Sequence, residues 1–175
     1  MKKLLSLAFA ILLISCLLVS CGNDPDVPDG MKLASGDAVA YDLFIPEEWL
    51  VDVQTGYTSA HVSDTDATNV SVTSFDMQAA NSTVDDWWEI NVTDLKVAFT
   101  DYKEMKIGAD TVLGGESAKE YVYSAKLGGV EYVYHHVAAV VEGGIVYNVT
   151  YTTTPDKYES SLETFNKITS EFRFR

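Results

Sequence analysis

The chain carries only three histidines, His61, His135 and His136. His135 and His136 are neighbours in a run rich in Val, Tyr and Ala. Successive residues of a strand point to opposite faces, so the pair cannot share a metal without a bulge. His136 falls in a row of tyrosines, which reads as a hydrogen-bonded core or rim patch before it reads as a functional cluster. Asp64-Thr65-Asp66-Ala67-Thr68-Asn69 has the opening spacing of a calcium loop. It lacks that loop's glycine at the sixth position, where Asn69 stands, and its acid at the twelfth, where Phe75 stands. His61 near Asp64 is a weaker signal still. No serine sits in G-x-S-x-G, and there is no glycine-rich phosphate loop. Asp85 and Asp86 fall where carboxylates offset a helix dipole, a more ordinary role than acid–base work. The residues thus predict neither an enzyme nor a bound cofactor. A candidate interaction surface is formed by Tyr123, Tyr132 and Tyr134, with Trp87. That tryptophan stands off its helix's apolar stripe, either as an exposed anchor for a partner or packed under the preceding loop.

The address is written at the N-terminus. Lys2 and Lys3 precede an apolar run from Leu4 to Val19, the layout of an export signal and short for a membrane span. The run ends in Leu18-Val19-Ser20-Cys21-Gly22, which resembles the lipobox of bacterial lipoproteins. That resemblance implies cleavage after Ser20 and a lipid on Cys21. Leu13-Ile14-Ser15-Cys16 also matches, but cutting there would leave Leu17-Leu18-Val19 exposed on a tail. With Cys21 acylated, the mature chain has no thiol for a disulfide or a nucleophile. Each buried methylene of the anchor contributes about 0.8 kcal/mol. Loss of Lys2 and Lys3 takes the net charge from −14 to −16, which repels nucleic acid and anionic headgroups and excludes nucleic-acid binding.

Three regions follow: a signal peptide over residues 1–20, a flexible acidic tether over 21–37, and one domain over 38–175. The tether holds Pro25, Pro28 and several aspartates, and its length reaches at most about 50 Å. The domain opens with an alternating strand, Val39 to Ile45, halted by Pro46. Three short strands follow, Val51–Val53, Tyr57–Val62 and Asn69–Phe75, joined by Thr55-Gly56 and by Ser63–Asp66. Thr83 and Asp86 are spaced as a capping box, ahead of a helical stripe of Val84, Trp88, Val92, Leu95, Phe99 and Tyr102. A further strand is expected over Gly108–Val112. Thr154 then caps a last helix with Pro155 at its first position, and Tyr158, Leu162, Phe165, Ile168 and Phe172 form its buried stripe.

Between the helices, Gly128-Gly129 and Gly143-Gly144 separate Val-, Tyr- and Thr-rich runs and predict an antiparallel meander. Two-residue loops at both pairs would set Tyr123 opposite Tyr134 and Tyr121 opposite His136. They would also set His136 opposite Tyr151 and Val140 opposite Tyr147. One face would then carry Tyr121, Tyr123, Tyr132, Tyr134, His136, Tyr147, Val149 and Tyr151. The other would carry Val122, His135, Val137, Val146, Asn148 and Thr150. The middle run is apolar on both faces, as a doubly covered strand is. The fold class is α+β: an αβα sandwich with a central antiparallel β-sheet and helices on both faces.

Two stretches carry a family resemblance. Phe44-Ile45-Pro46-Glu47-Glu48-Trp49 is similar to the apolar-Pro-x-x-Trp start of the PsbP-like proteins and the DcrB-like bacterial lipoproteins. Glu142 to Tyr151, followed by Phe165, Ile168 and Phe172-Arg173-Phe174, resembles their ending. The resemblance implies an αβα sandwich and has no catalytic motif to carry over. It also implies an accessory role. The expected protein is a non-catalytic binding or scaffolding module, anchored by lipid outside the cytoplasmic membrane and meeting a protein partner there. It would sit on the cytoplasmic membrane or, in a cell that has one, on the outer membrane. A small-molecule or metal-ion binding lipoprotein is the alternative.

Overall fold

A computed structural model describes residues 26–54 and 57–175. The signal peptide, the lipobox with Cys21 and the Thr55-Gly56 turn lie outside the described residues. In chain order the elements are β1 (Met31–Leu33), β2 (Tyr41–Asp42), β3 (Phe44–Pro46), β4 (Leu50–Gln54), β5 (Tyr57–Ser63), β6 (Asp66–Asp76), α1 (Val84–Ala98), β7 (Thr100–Leu113), β8 (Glu116–Leu127), β9 (Val130–Val141), β10 (Ile145–Thr153), α2 (Pro155–Glu171) and β11 (Arg173–Phe174). Seven strands form one antiparallel sheet in the order β4-β5-β6-β10-β9-β8-β7, and α1 and α2 pack on its opposite faces. This is the expected sandwich.

The first hairpin has the expected register. Leu127 pairs with Val130, Tyr123 with Tyr134 and Tyr121 with His136, across a turn in which Gly128 and Gly129 both take positive φ, 61° and 86°. The second hairpin does not. Ile145 pairs with Val141 rather than with Glu142, so His136 faces Thr150 and Val140 faces Val146. Gly144 N–H donates to the Val141 carbonyl at 3.1 Å, closing a three-residue loop that a glycine pair alone does not distinguish from a two-residue one. Gly144 is also wedged against the preceding chain, where a Cβ would run into the Ala79 carbonyl. The slip of one residue flips all of β10. Tyr147, Val149 and Tyr151 join the α2-side core, and Val146, Asn148 and Thr150 turn to the α1 side.

The helices begin where their caps require. Thr83 Oγ1 accepts from Asp86 N at 3.1 Å while Asp86 Oδ2 accepts from Thr83 N at 2.7 Å, the reciprocal bonds of a capping box. Pro155 opens α2 after Thr154, whose side chain makes no cap bond. Phe165 and Ile168 of α2 are fully buried, each contributing about 1.5–3 kcal/mol. Phe165 stacks on Tyr151 at 4.9 Å and meets His135 edge-on at 4.5 Å.

Three boundaries differ from expectation. The folded unit takes in much of the tether, because Met31 is buried and β1 pairs with β3. Alternation of Met31 and Leu33 outweighs the surrounding prolines and acids. The strand expected over Val39–Ile45 is two short ones that change partner at Leu43: β2 pairs with β11 and β3 with β1. Residues 41–45 are all buried, so neither face is left for an alternating surface strand. Finally β7 begins at Thr100, eight residues before Gly108, and crosses three register shifts against β8.

Candidate functional site

The α1-facing side of the sheet has two halves. Over β7, β8 and β9 it lies beneath α1. Trp88 stacks on Tyr121 with ring centroids 4.1 Å apart, Tyr123 stacks on Tyr134 at 5.0 Å, and Phe99 and Tyr102 close the end of the cluster. α1 also reaches Val146 of β10 and walls Thr73 and Phe75 of β6, whereas over β4 and β5 no member of its cluster lies on this face among the described residues. One lateral row crosses both halves: Tyr121, His136, Thr150, Ser71, Ser59 and Asp52, each paired with the next. It is aromatic under α1 and polar beyond it.

His136 stands where the halves meet. Its Nε2 is 3.4 Å from Tyr123 Oη, and its Nδ1 lies 3.2 Å from Asn148 Oδ1 and 3.1 Å from Thr150 Oγ1. Asn148 Nδ2 donates to Thr150 Oγ1 at 2.9 Å. One assignment satisfies every group: Tyr123 donates to Nε2, and Nδ1–H donates to Asn148. Burial pushes the imidazole down to about 4, so it is neutral at pH 7. Burial raises the Tyr123 phenol and takes that of Tyr134 to about 12. His135, on the other face, lies 3.1 Å from Tyr158 Oη and is also held down to about 4 by burial. Its Nε2 is 2.6 Å from Glu120 Oε1 but outside hydrogen-bond alignment. Desolvation outweighs that carboxylate.

The uncovered half forms a trough with two adjoining hollows. The narrow one, about 150 Å³, has His136, Asn148 and Thr73 as its floor and Trp87, Asn91 and Leu95 of α1 as a wall, with Phe75 at the rim. The wide one, about 310 Å³, is lined by Asp52, Tyr57, Ser59, His61, Asn69 and Ser71. They meet along β6, where Ser71 and Thr73 are successive residues on this face. In the wide hollow Asp52 Oδ2 takes both His61 Nδ1 at 2.9 Å and Ser59 Oγ at 3.3 Å. The Asp52 bond raises the His61 pKa, with a smaller push from Asp64, 3.6 Å from Nε2.

The expected interaction residues fall differently. Trp87, Tyr123 and Tyr134 are buried, at 5%, 1% and 8% exposure, and Tyr132 is partly buried. They form one aromatic cluster with Trp88, but not an outer docking face. Trp87 follows Val84 by three residues and so shares its side of α1, a broader stripe than the one read from the sequence. Its edge reaches the narrow hollow. Asp66, the third residue of the supposed calcium loop, is instead tied to Lys157 at 2.8 Å and to Thr68 N at 2.9 Å. The Lys157 bond holds its carboxyl down to about 2. Among the described residues no group of three His, Cys, Asp or Glu comes together to hold a metal.

Sequence reasoning missed the trough itself, although a signal for it was present. From Pro46 to Leu95, the segment that supplies β4, β5, β6 and most of α1, there are ten acidic residues and no Lys or Arg. Six of the ten fall between Pro46 and Asp76, the stretch that supplies β4, β5 and β6, so those strands carry acidic residues with no basic ones of their own.

No protein-family model matches the chain, and no curated protein matches it in sequence. Solved structures match it in fold. The solution structure of the cyanobacterial PsbP protein of Synechocystis sp. PCC 6803 (CyanoP) aligns at a TM-score of 0.62 with 15% identity, covering 91% of this chain and 99% of that one. LpqN of Mycobacterium tuberculosis, a protein involved in cell envelope biogenesis, aligns at 0.58 with 14% identity over 86% of this chain and 92% of its own. PA94 of Pseudomonas aeruginosa, of unknown function, aligns at 0.54 with 18% identity, covering 78% of this chain and 92% of that one. At these identities the likeness is one of fold: the chain has the αβα sandwich of the PsbP-like and LpqN-like structures.

Proposed function

We propose that this protein is a lipid-anchored, extracytoplasmic binding module that holds a protein partner against the open half of its sheet. The observation that carries the reading is the trough beside α1, a preformed concavity that joins an aromatic wall to a hydrogen-bonding floor. Anchoring rests on Cys21 and the export signal ahead of it, on the cytoplasmic membrane or the outer membrane. Among the described residues no helix is long and apolar enough to cross a membrane.

The polar groups of the trough support binding over catalysis. His136 has its ring nitrogens occupied from within the fold. His61 and Asp52 make an acid–base pair, but Ser59 donates to Asp52 and not to His61, whose other nitrogen faces Asp64, so the pair activates no nucleophile. A small-molecule carrier is the second reading, favoured by the narrow hollow under Trp87.

A photo-crosslinker at Thr73 in the trough and, separately, at Glu163 on the outer side of α2 tests the choice in intact membranes. A protein partner should be captured from Thr73 and not from Glu163. Capture of none, with a small ligand co-purifying at equal stoichiometry, favours the second reading. Cys21→Ser should release the protein from the membrane, and full retention would overturn the anchor.

A further inference from the structure

The two edges of the sheet are built differently. β7 is protected as solvent-facing edges usually are: three register shifts bend it, Asp101 sits at positive φ, and it carries Lys103, Glu104, Lys106 and Asp110. β4 carries a single charge, Asp52, and has neither a register shift nor a positive φ among its described residues. Its register with β5 is unbroken from Leu50↔His61 to Gln54↔Tyr57, and it holds no Lys and no Pro. Among the described residues β4 pairs with β5 alone, which leaves one row of backbone groups open. That edge is also the rim of the wide hollow. Leu50 and Asp52 point to the hollow's side, both 44% exposed as residue and side chain respectively.

We infer that β4 is the docking edge for an extended segment of a protein partner that adds to the sheet as an eighth strand and sets a Lys or Arg opposite Asp52. The inference rests on the binding-module reading and names what the partner presents. Strand addition satisfies the open backbone row, and side chains at alternate positions supply selectivity. Charge decides the occupant. Asp52 Oδ2 is taken by His61 and Ser59, while Oδ1 accepts no bond among the described residues. Asp64 lies 3.6 Å from the other nitrogen of the His61 that Asp52 holds, and the segment from Pro46 to Leu95 has no Lys or Arg. A second copy is the poorer fit, because the two-fold pairing that matches all five residues sets Asp52 against Asp52, and like charges directly opposite are destabilising. Leu50 lies two residues from Asp52 on the same side. The incoming strand therefore carries an apolar side chain two residues from its cation.

The test uses the full-length protein and two blocked peptides, Thr-Leu-Thr-Lys-Thr-Leu-Thr and the same sequence with Glu at the centre. The Lys peptide should bind at least about tenfold more tightly at low salt and should slow hydrogen exchange in β4. Asp52→Asn should erase the preference and Asp52→Lys should invert it, with circular dichroism confirming that both variants are folded. Equal binding of the two peptides, or binding without protection of β4, overturns the inference. So does a dimer of the unliganded protein that protects β4. If a partner crosslinks at Thr73 while the Lys peptide shows no preference, strand addition fails and the binding-module reading stands.

Discussion

Under α1 the sheet is a packed interior, and toward β4 the same face is open and polar. The lateral row from Tyr121 to Asp52 runs through both. At its covered end Tyr121 is 1% exposed, stacks on Trp88 and gives its hydroxyl to Asp85 at 2.9 Å. At its open end Asp52 accepts from Ser59 and binds the ring of His61. Fifteen helical residues cannot span seven strands, so α1 covers part of the sheet and the remainder is polar. Stability should depend on one half and recognition on the other.

The comparison predicts graded effects. Trp88→Ala removes the ring between Tyr121, Tyr123 and His136 and should cost about 3–5 kcal/mol in urea unfolding. A loss under 1 kcal/mol would show that the covered half is not a core. Next is pH. An unfolded histidine titrates near 6.5, while His135 and His136 are held to about 4 in the fold. Between those values the unfolded chain binds protons that the fold refuses, so stability falls as pH falls, by up to about 3 kcal/mol per histidine. His136→Asn should flatten that dependence relative to the parent, and an unchanged slope would refute the assignment. His61 has the opposite sign. Its pKa is raised, so its contribution is present below 6.5 and is lost as pH rises through the raised value. An NMR titration of the His61 ring should show this upward shift, and Asp52→Asn should reverse it. Thr83→Ala breaks the capping box of α1 and should cost about 1 kcal/mol. Smallest is Ser71→Ala in the trough, expected within about 0.5 kcal/mol of the parent. A large loss there would mean the open half is structural after all.

How far the sequence reaches can be seen at the two hairpins. Gly128-Gly129 gives the right register because its loop has two residues. Gly143-Gly144 looks the same on paper, but its loop also takes in Glu142, and nothing local signals that. The third loop residue is fixed by a distant contact, the Ala79 carbonyl against Gly144. The sandwich, both helices and the capping box of α1 were readable because period and capping are local properties, whereas Thr154 marks the start of α2 without a side-chain cap bond. The trough was not, because it is defined by where α1 stops short across the sheet, a matter of tertiary placement. Trp87 shows the same limit in miniature: the helical period gives its direction only once the width of the buried stripe is known. The acidic run from Pro46 to Leu95 was open to a reading by segment, but a single net charge for the whole chain conceals it.

The fastening of the entering chain has a consequence for orientation. Asp26 and Asp29 give their carbonyls to Arg173 at 3.0 Å and to Lys167 at 2.8 Å, and Met31 lies in the α2-side core. The chain thus joins the folded body beside α2, behind the sheet as seen from the trough. Asp26 follows Cys21 by five residues, a covalent reach of at most about 20 Å, far less than that of the tether read from the sequence. With Cys21 lipidated as proposed, so short a reach holds the α2 side toward the bilayer. The trough and the β4 edge are then presented outward, to whatever approaches from the far side.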